Sequence, residues 1–161
     1  MNPDMLILDI DDTILPSSCT TEMCRKKHEK LVNQLLDYCD DNNIDVAINT
    51  ARPVRSLNGV TQSIQARLKN KPFCYRPYGS KKDVPERKQE CMIRLSKNRN
   101  RQRVTLMDDR MDNCVYAQKA GFKAIHVIPD GKGITVKDVD KYMHEQKKAR
   151  TKKARTKKSQ K

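Results

Sequence analysis

The sequence predicts an α/β protein, a three-layer α/β/α sandwich around a mostly parallel sheet. Three observations predict it. Short apolar runs recur at Leu6-Ile7-Leu8, at residues 44–49 and at residues 103–107. Near-continuous apolar runs bounded by turn formers read as buried parallel strands. Segments of helical periodicity lie between them, the alternation that builds right-handed βαβ units. Each run also stops at carboxylate or hydroxyl residues, and open parallel sheets place their chemistry just outside the carboxyl ends of their strands.

The elements follow in order. The first strand runs into Asp9-Ile10-Asp11-Asp12-Thr13 and a short loop, Leu15-Pro16-Ser17-Ser18. Thr20 or Thr21 caps a helix over residues 22–40, whose apolar face carries Leu31, Leu35 and Tyr38 beside Val32 and Leu36. Asp40-Asp41-Asn42-Asn43 breaks it before the second strand, which ends in Thr50-Ala51-Arg52-Pro53. Pro53 suits a first helical turn, so a helix is expected from there to Lys69, with Gly59 weakening it. Residues 71–75 form a short strand and 76–80 a loop. A helix over residues 86–97 buries Cys91, Met92 and Leu95. The strand at residues 103–107 closes on Asp108-Asp109-Arg110-Met111-Asp112, and the next helix ends at Gly121. A last strand over 122–128, a turn at 129–133 and a short helix over 136–143 complete the domain, assigned to residues 1–136.

Residues 137–161 read as a basic, disordered tail in which Ala-Arg-Thr-Lys-Lys occurs twice in tandem. From His144 onward nine Lys and Arg stand against Glu145, so +8 of the formal net charge of +14 lies there and +6 remains on the domain. The isoelectric point is about 9.7. Such a balance favours anionic partners, with nucleic acid before acidic membrane surface. No apolar run approaches a membrane span and no basic-then-apolar signal pattern opens the chain, so a soluble, intracellular protein is expected, cytoplasmic or nuclear. The six cysteines are scattered without a C-x-x-C pair, which reads as free thiols rather than a disulfide framework. Cys19, Cys24 and His28 make at most a partial zinc site with no fourth ligand in the spacing.

Three strand ends therefore carry chemistry: Asp9 and Asp11, Thr50, and Asp108, Asp109 and Asp112. Carboxylates this close resist joint ionisation, a divalent cation relieves the repulsion, and Mg2+ favours carboxylate oxygens. One carboxylate then serves as nucleophile and a second as proton shuttle. The alternative for the first run is a solvated acidic turn.

Over about residues 4–130 these motifs, in this order, resemble the haloacid dehalogenase-like (HAD) hydrolase superfamily. The resemblance rests on Asp9-x-Asp11-x-Thr13, on Thr50 at a strand end, on a Lys near a helix start, and on the pair Asp108-Asp109. It implies a Rossmannoid sheet and Mg2+-dependent phosphatase chemistry. Asp9 would be the nucleophile that forms an aspartyl-phosphate, and Asp11 the proton donor and then the base. Thr13 at the end of the first motif points to phosphoryl transfer rather than dehalogenation. Mg2+ would be held by Asp9, the Asp11 carbonyl and Asp108, with Asp109 or Asp112 in support. Thr50 and a lysine would bind the phosphoryl oxygens. Lys88 is preferred for that lysine and Lys82, in the preceding loop, is the alternative. Arg52 is either a substrate-phosphate ligand or a surface arginine. Tyr75 and Tyr78 are read as packing residues, with base stacking the alternative, and His126 as structural.

In this superfamily inserted cap domains shield small substrates, and the intervals between the motifs here leave little room for one, so a minimal or absent cap is expected. An open site accepts large substrates, and the charge selects nucleic-acid end phosphates among them. Asp108-Asp109-Arg110 followed by Asn113 is also similar to the phosphatase module of polynucleotide kinase–phosphatases, without a P-loop for a kinase half. The other readings are a phosphatase of small nucleotides or phosphoprotein, and a non-catalytic nucleic-acid-binding module on the same fold. A response-regulator receiver has a different strand order for its acidic pair, Thr and Lys.

Overall fold

A computed structural model describes residues 4–77 and 79–158. Five strands, β1 (Met5–Leu8), β2 (Asp45–Asn49), β3 (Phe73–Cys74), β4 (Val104–Asp108) and β5 (Lys123–His126), form one sheet in the order β3-β2-β1-β4-β5. Every pairing is parallel, with Leu6 opposite both Val46 and Thr105. The helices are α1 (Glu22–Asp41), α2 (Gln62–Leu68), α3 (Val84–Leu95), α4 (Met111–Lys119) and α5 (Val136–Lys158).

Strand alternation sorts the core into two faces. Leu6 and Leu8 pack with Val32 and Leu35 of α1, Ile64 and Leu68 of α2, and Val139 and Tyr142 of α5. Met5 and Ile7 pack with Met92 of α3 and Ala117 of α4. This is the predicted three-layer sandwich. Each fully buried Leu or Ile contributes about 1.5–3 kcal/mol of transfer free energy. The chain winds outward from β1 to β2 and β3, then returns across β1 to β4. That reversal makes β1 and β4 the flanks of the switch point, where such sheets leave a crevice at their carboxyl ends.

Four expectations are corrected. The helix expected from Pro53 begins only at Gln62. Residues 51–60 are irregular because Gly59 takes φ +86° and the carbonyls of Ser56 and Asn58 turn to accept Arg52 rather than later amides. The tail does not begin at residue 137. Thr135 and Asp138 form a reciprocal cap, with Thr135 N donating to Asp138 Oδ2 (2.8 Å) and Asp138 N to Thr135 Oγ1 (3.3 Å). Val139, Tyr142 and Gln146 are buried, so α5 starts inside the domain and its strong helix formers carry it to Lys158.

The cysteines are not all free either. Cys19 is bonded to Cys24 and Cys74 to Cys91, while Cys39 and Cys114 are buried thiols. The first turn of α1 brings Cys24 back beside Cys19, and α3 lays Cys91 over the end of β3. With both sulfurs of the first pair bonded to each other, the partial zinc site with His28 falls away. Tyr78 lies outside the described residues.

The turn after β1 is held tightly. The Ile10 carbonyl accepts from the amides of Thr13, Ile14 and Leu15 (3.2, 3.0 and 2.9 Å), and Asp12 adopts φ 56°. Ile134 N donates to the Thr13 carbonyl (2.9 Å), and a Cβ on Gly133 would sit 2.6 Å from that oxygen, so only glycine fits there. His28 of α1 is buried against the same turn. Burial lowers its pKa, and the Thr13 carbonyl, which favours the protonated ring, offsets only part of this. The unfolded chain therefore takes up this proton first, and stability is lost as pH falls below the ordinary value of 6.5. The fall in urea midpoint between pH 7.5 and pH 5.5 is expected to be smaller in His28→Gln than in the wild type; an equal fall would show that His28 does not contribute.

Candidate active site

The carboxyl ends of β1 and β4 lie side by side, so Asp9 and Asp108 are neighbours although 99 positions separate them. Asp9 N donates to the Met107 carbonyl (3.0 Å), which locks its backbone to β4. Both side chains are buried, Asp9 at 4 % and Asp108 at 0 % exposure. Two carboxylates in so dry a place need a counter-charge.

Lys88 supplies it. Its ammonium donates to Asp9 Oδ1 and Asp108 Oδ2, both at 2.5 Å. It can do so because 88, 91 and 92 share the inward face of α3, whose first turn is aimed at the sheet by Pro85. Asn49, the last residue of β2, donates to the Lys88 carbonyl (2.8 Å) and so fixes that turn. The remaining oxygen of Asp108 accepts from Asn113 Nδ2 (2.8 Å) and Arg110 N (3.0 Å). Thr13 Oγ1 lies 3.4 Å from Asp9 Oδ2.

Burial raises the Asp9 carboxyl well above the ordinary carboxylate value, the Lys88 charge opposes this, and the Asp108 charge adds to it. Burial alone would lower the Lys88 ammonium, but Asp9 and Asp108 outweigh it and the net shift is upward. Asp109 is raised as well, by partial burial and then by the Asp108 charge.

Carboxylate oxygens of Asp9, Asp108 and Asp109 lie within 4.8 Å of one another. Three hard oxygen donors at a strand-end crevice fit Mg2+, which takes one or two protein carboxylates and keeps several waters. Asp112 is not part of this cluster. Its carboxylate is paired with Arg110 Nη2 (2.5 Å) and accepts from Asn113 N (2.9 Å), whereas Asp109 is the acidic residue that stands beside Asp9 and Asp108. Lys82, the alternative to Lys88, is paired with Glu90 at the surface.

Thr50 is buried at the end of β2, with its amide on the Cys74 carbonyl (3.0 Å) and its hydroxyl accepting from Arg52 N (3.2 Å). That contact leaves the hydroxyl proton available to donate. Asp11 stands at the exposed rim, its side chain 57 % exposed, and both its oxygens are taken by Arg52. Tyr75 is exposed, and His126 Nε2 donates to the Asp109 carbonyl (2.9 Å). Sequence reasoning missed Asn49 as a support. Its signal was an amide closing an otherwise apolar strand.

No family model matches the sequence, and no curated protein matches it. Solved structures do. The core domain of a putative phosphoglycolate phosphatase from Streptococcus pneumoniae TIGR4 is 17% identical with a TM-score of 0.52, covering 89% of this chain and 97% of that one. An uncharacterized protein from Corynebacterium glutamicum ATCC 13032 is 14% identical with a TM-score of 0.52, covering 76% of this chain and 83% of that one. At these identities the likeness is one of fold. The order β3-β2-β1-β4-β5, parallel throughout, gives this chain a Rossmannoid α/β fold.

Proposed function

We propose that the protein is a Mg2+-dependent phosphoric monoester hydrolase that works through an aspartyl-phosphate on Asp9. The observation that carries this reading is the buried Asp9 at the switch point, bracketed by Lys88, Asp108 and Asp109. An oxygen of Asp9 attacks phosphorus, the bond from phosphorus to the leaving oxygen breaks, and Asp11 gives that oxygen its proton. Water then attacks the phosphorus of the acyl phosphate, Asp11 takes the proton of that water, and orthophosphate leaves. Asp9, Asp108 and Asp109 would hold Mg2+, which when bound neutralises charge on the phosphoryl group. Lys88 keeps Asp9 ionised and oriented, and Thr50 donates to a phosphoryl oxygen.

The proposed substrate is the phosphate at a nucleic-acid end. Only α1 lies between β1 and β2, and only α2, β3, α3 and a short 3-10 turn at Arg101–Arg103 lie between β2 and β4, so no cap element stands over the crevice among the described residues. The net charge of +14 favours a polyanion over a small phosphate ester, and α5 extends the basic sequence as one helix. The protein has no helix among the described residues long and apolar enough to cross a membrane.

The test is orthophosphate release with Mg2+ and with EDTA from an aryl phosphate, 3′- and 5′-phosphorylated oligonucleotides, a mononucleotide and a phosphopeptide. Release is expected only with Mg2+ and fastest from an oligonucleotide. Its KM should rise steeply with salt, and rise again when residues 147–161 are deleted. Equal rates on mononucleotide and oligonucleotide, untouched by salt, would favour a small-substrate phosphatase. No release from any ester, with salt-sensitive oligonucleotide binding, would favour a binding module.

A further inference from the structure

We propose that Arg52 is the positioning residue for Asp11, holding its carboxylate at the mouth of the crevice so that it meets the leaving oxygen. This rests on the reading of Asp11 as the proton donor. Arg52 Nε donates to Asp11 Oδ2 (2.9 Å) and Nη2 to Asp11 Oδ1 (2.7 Å), a two-pronged pair that fixes the carboxylate plane. The guanidinium is itself anchored. Nη1 donates to the carbonyls of Ser56 (3.1 Å) and Asn58 (3.0 Å).

A guanidinium has five N–H donors, and these four contacts use four of them. Arg52 therefore cannot clasp a substrate phosphate in two-pronged fashion while it holds Asp11. Its surroundings fit the positioning task instead. The Arg52 side chain is 17 % exposed and Asp11 57 % exposed, so the better-buried arginine is the fixed partner and the carboxylate the held one. The irregular stretch after β2 is the cradle. A helix there would spend the Ser56 and Asn58 carbonyls on its own amides, whereas the loop delivers both to one nitrogen. The turn at Asp12 then presents Asp11 to that nitrogen's neighbours on the same fork. Two loops from two strand ends are thus tied at one side chain. Lysine offers a single point charge with no fork, so it does not replace arginine here.

The test is first-turnover and steady-state kinetics of wild type, Arg52→Ala, Arg52→Lys, Asp11→Asn and the double variant Asp11→Asn with Arg52→Ala. Two esters are compared: 4-nitrophenyl phosphate, whose leaving group departs without a proton, and a simple alkyl phosphate, whose leaving group needs one. The expected loss in kcat for Arg52→Ala is about 100-fold on the alkyl ester, within the range of a general-acid contribution. The first-turnover burst of nitrophenolate, which reports the first step alone, is expected to slow by less than about threefold, and KM for both esters to hold within about twofold. Arg52→Lys is expected to behave like Arg52→Ala, and guanidinium ion added to Arg52→Ala to restore the alkyl rate selectively. The double variant should lose no more than Asp11→Asn does, because the two residues act as one unit.

An equal loss in first-turnover release of the leaving group from both esters would show a structural role and overturn the proposal. A rise in KM on both with kcat kept would make Arg52 a phosphate ligand and overturn it too. In either case the wild type is active and the phosphatase reading stands. Wild-type inactivity on both esters and on the oligonucleotides would overturn that reading and this proposal together.

Discussion

Asp9→Asn is expected to release no phosphate from any ester that the wild type hydrolyses, a loss of about 10^4-fold or more, the scale seen when a nucleophile is removed. The amide keeps the shape of the carboxyl but cannot form an acyl phosphate. It should not unfold the chain. Burial raises the Asp9 carboxyl, so the site already resists its charge, and the neighbouring Asp108 still satisfies Lys88. Thermal unfolding of Asp9→Asn is therefore expected within a few degrees of wild type, and 32P from a labelled ester should remain on wild-type protein trapped in acid but not on the variant. Residual turnover comparable to wild type would remove Asp9 from the nucleophile's role.

Lys88→Met should have the largest effect on stability. Methionine matches the length of the stem, so packing on the inward face of α3 is kept. What is lost is the ammonium between two carboxylates of at most 4 % exposure. Breaking a buried ion pair by removing one partner costs about 3–5 kcal/mol, because the other charge is left uncompensated. A fall of that size in the urea unfolding free energy is expected in EDTA. Millimolar Mg2+ should then recover more stability in Lys88→Met than in the wild type, since a ligand that binds only the folded chain stabilises it by mass action. A variant as stable as wild type in EDTA would mean that Asp9 and Asp108 do not depend on Lys88. Lys82→Met, which removes a surface partner of Glu90, is the control and should change little.

The chain order of the motifs was legible from residue types because it is local. Strands declare themselves by continuous apolar runs, and the polar residues that end them are adjacent in sequence, as in Leu8-Asp9 and Met107-Asp108. Parallel pairing then sends those ends to one edge of the sheet. The helix face of α3 was legible as well. Cys91 and Met92 mark it, and Lys88, which opens that helix, was favoured over the loop residue Lys82 for its position there.

Other features had no local sign. Asp109 and Asp112 are both acidic residues just past a strand, and only the direction of the first turn of α4 sends Asp112 to Arg110. The Cys74–Cys91 bond joins residues 17 apart whose nearness is created by packing α3 over β3. The proline at 53 favoured a helix, and the competing hydrogen bonds from Arg52 to Ser56 and Asn58 decided against it. The basic repeat has the composition of a disordered segment and the propensity of a helix, and the buried start of α5 at Val139 and Tyr142 gave it a nucleus from which to extend.

By itself, then, the sequence determined the strands, their polarity and the residues that end them, because periodicity and chain order are properties of neighbours. Which cation answers Asp9, which carboxylate joins it and what holds Asp11 were decided by the tertiary structure. Lys88 meets Asp9 across 79 positions and Arg52 meets Asp11 across 41, and contacts at that range exist only once the sheet has set the distances.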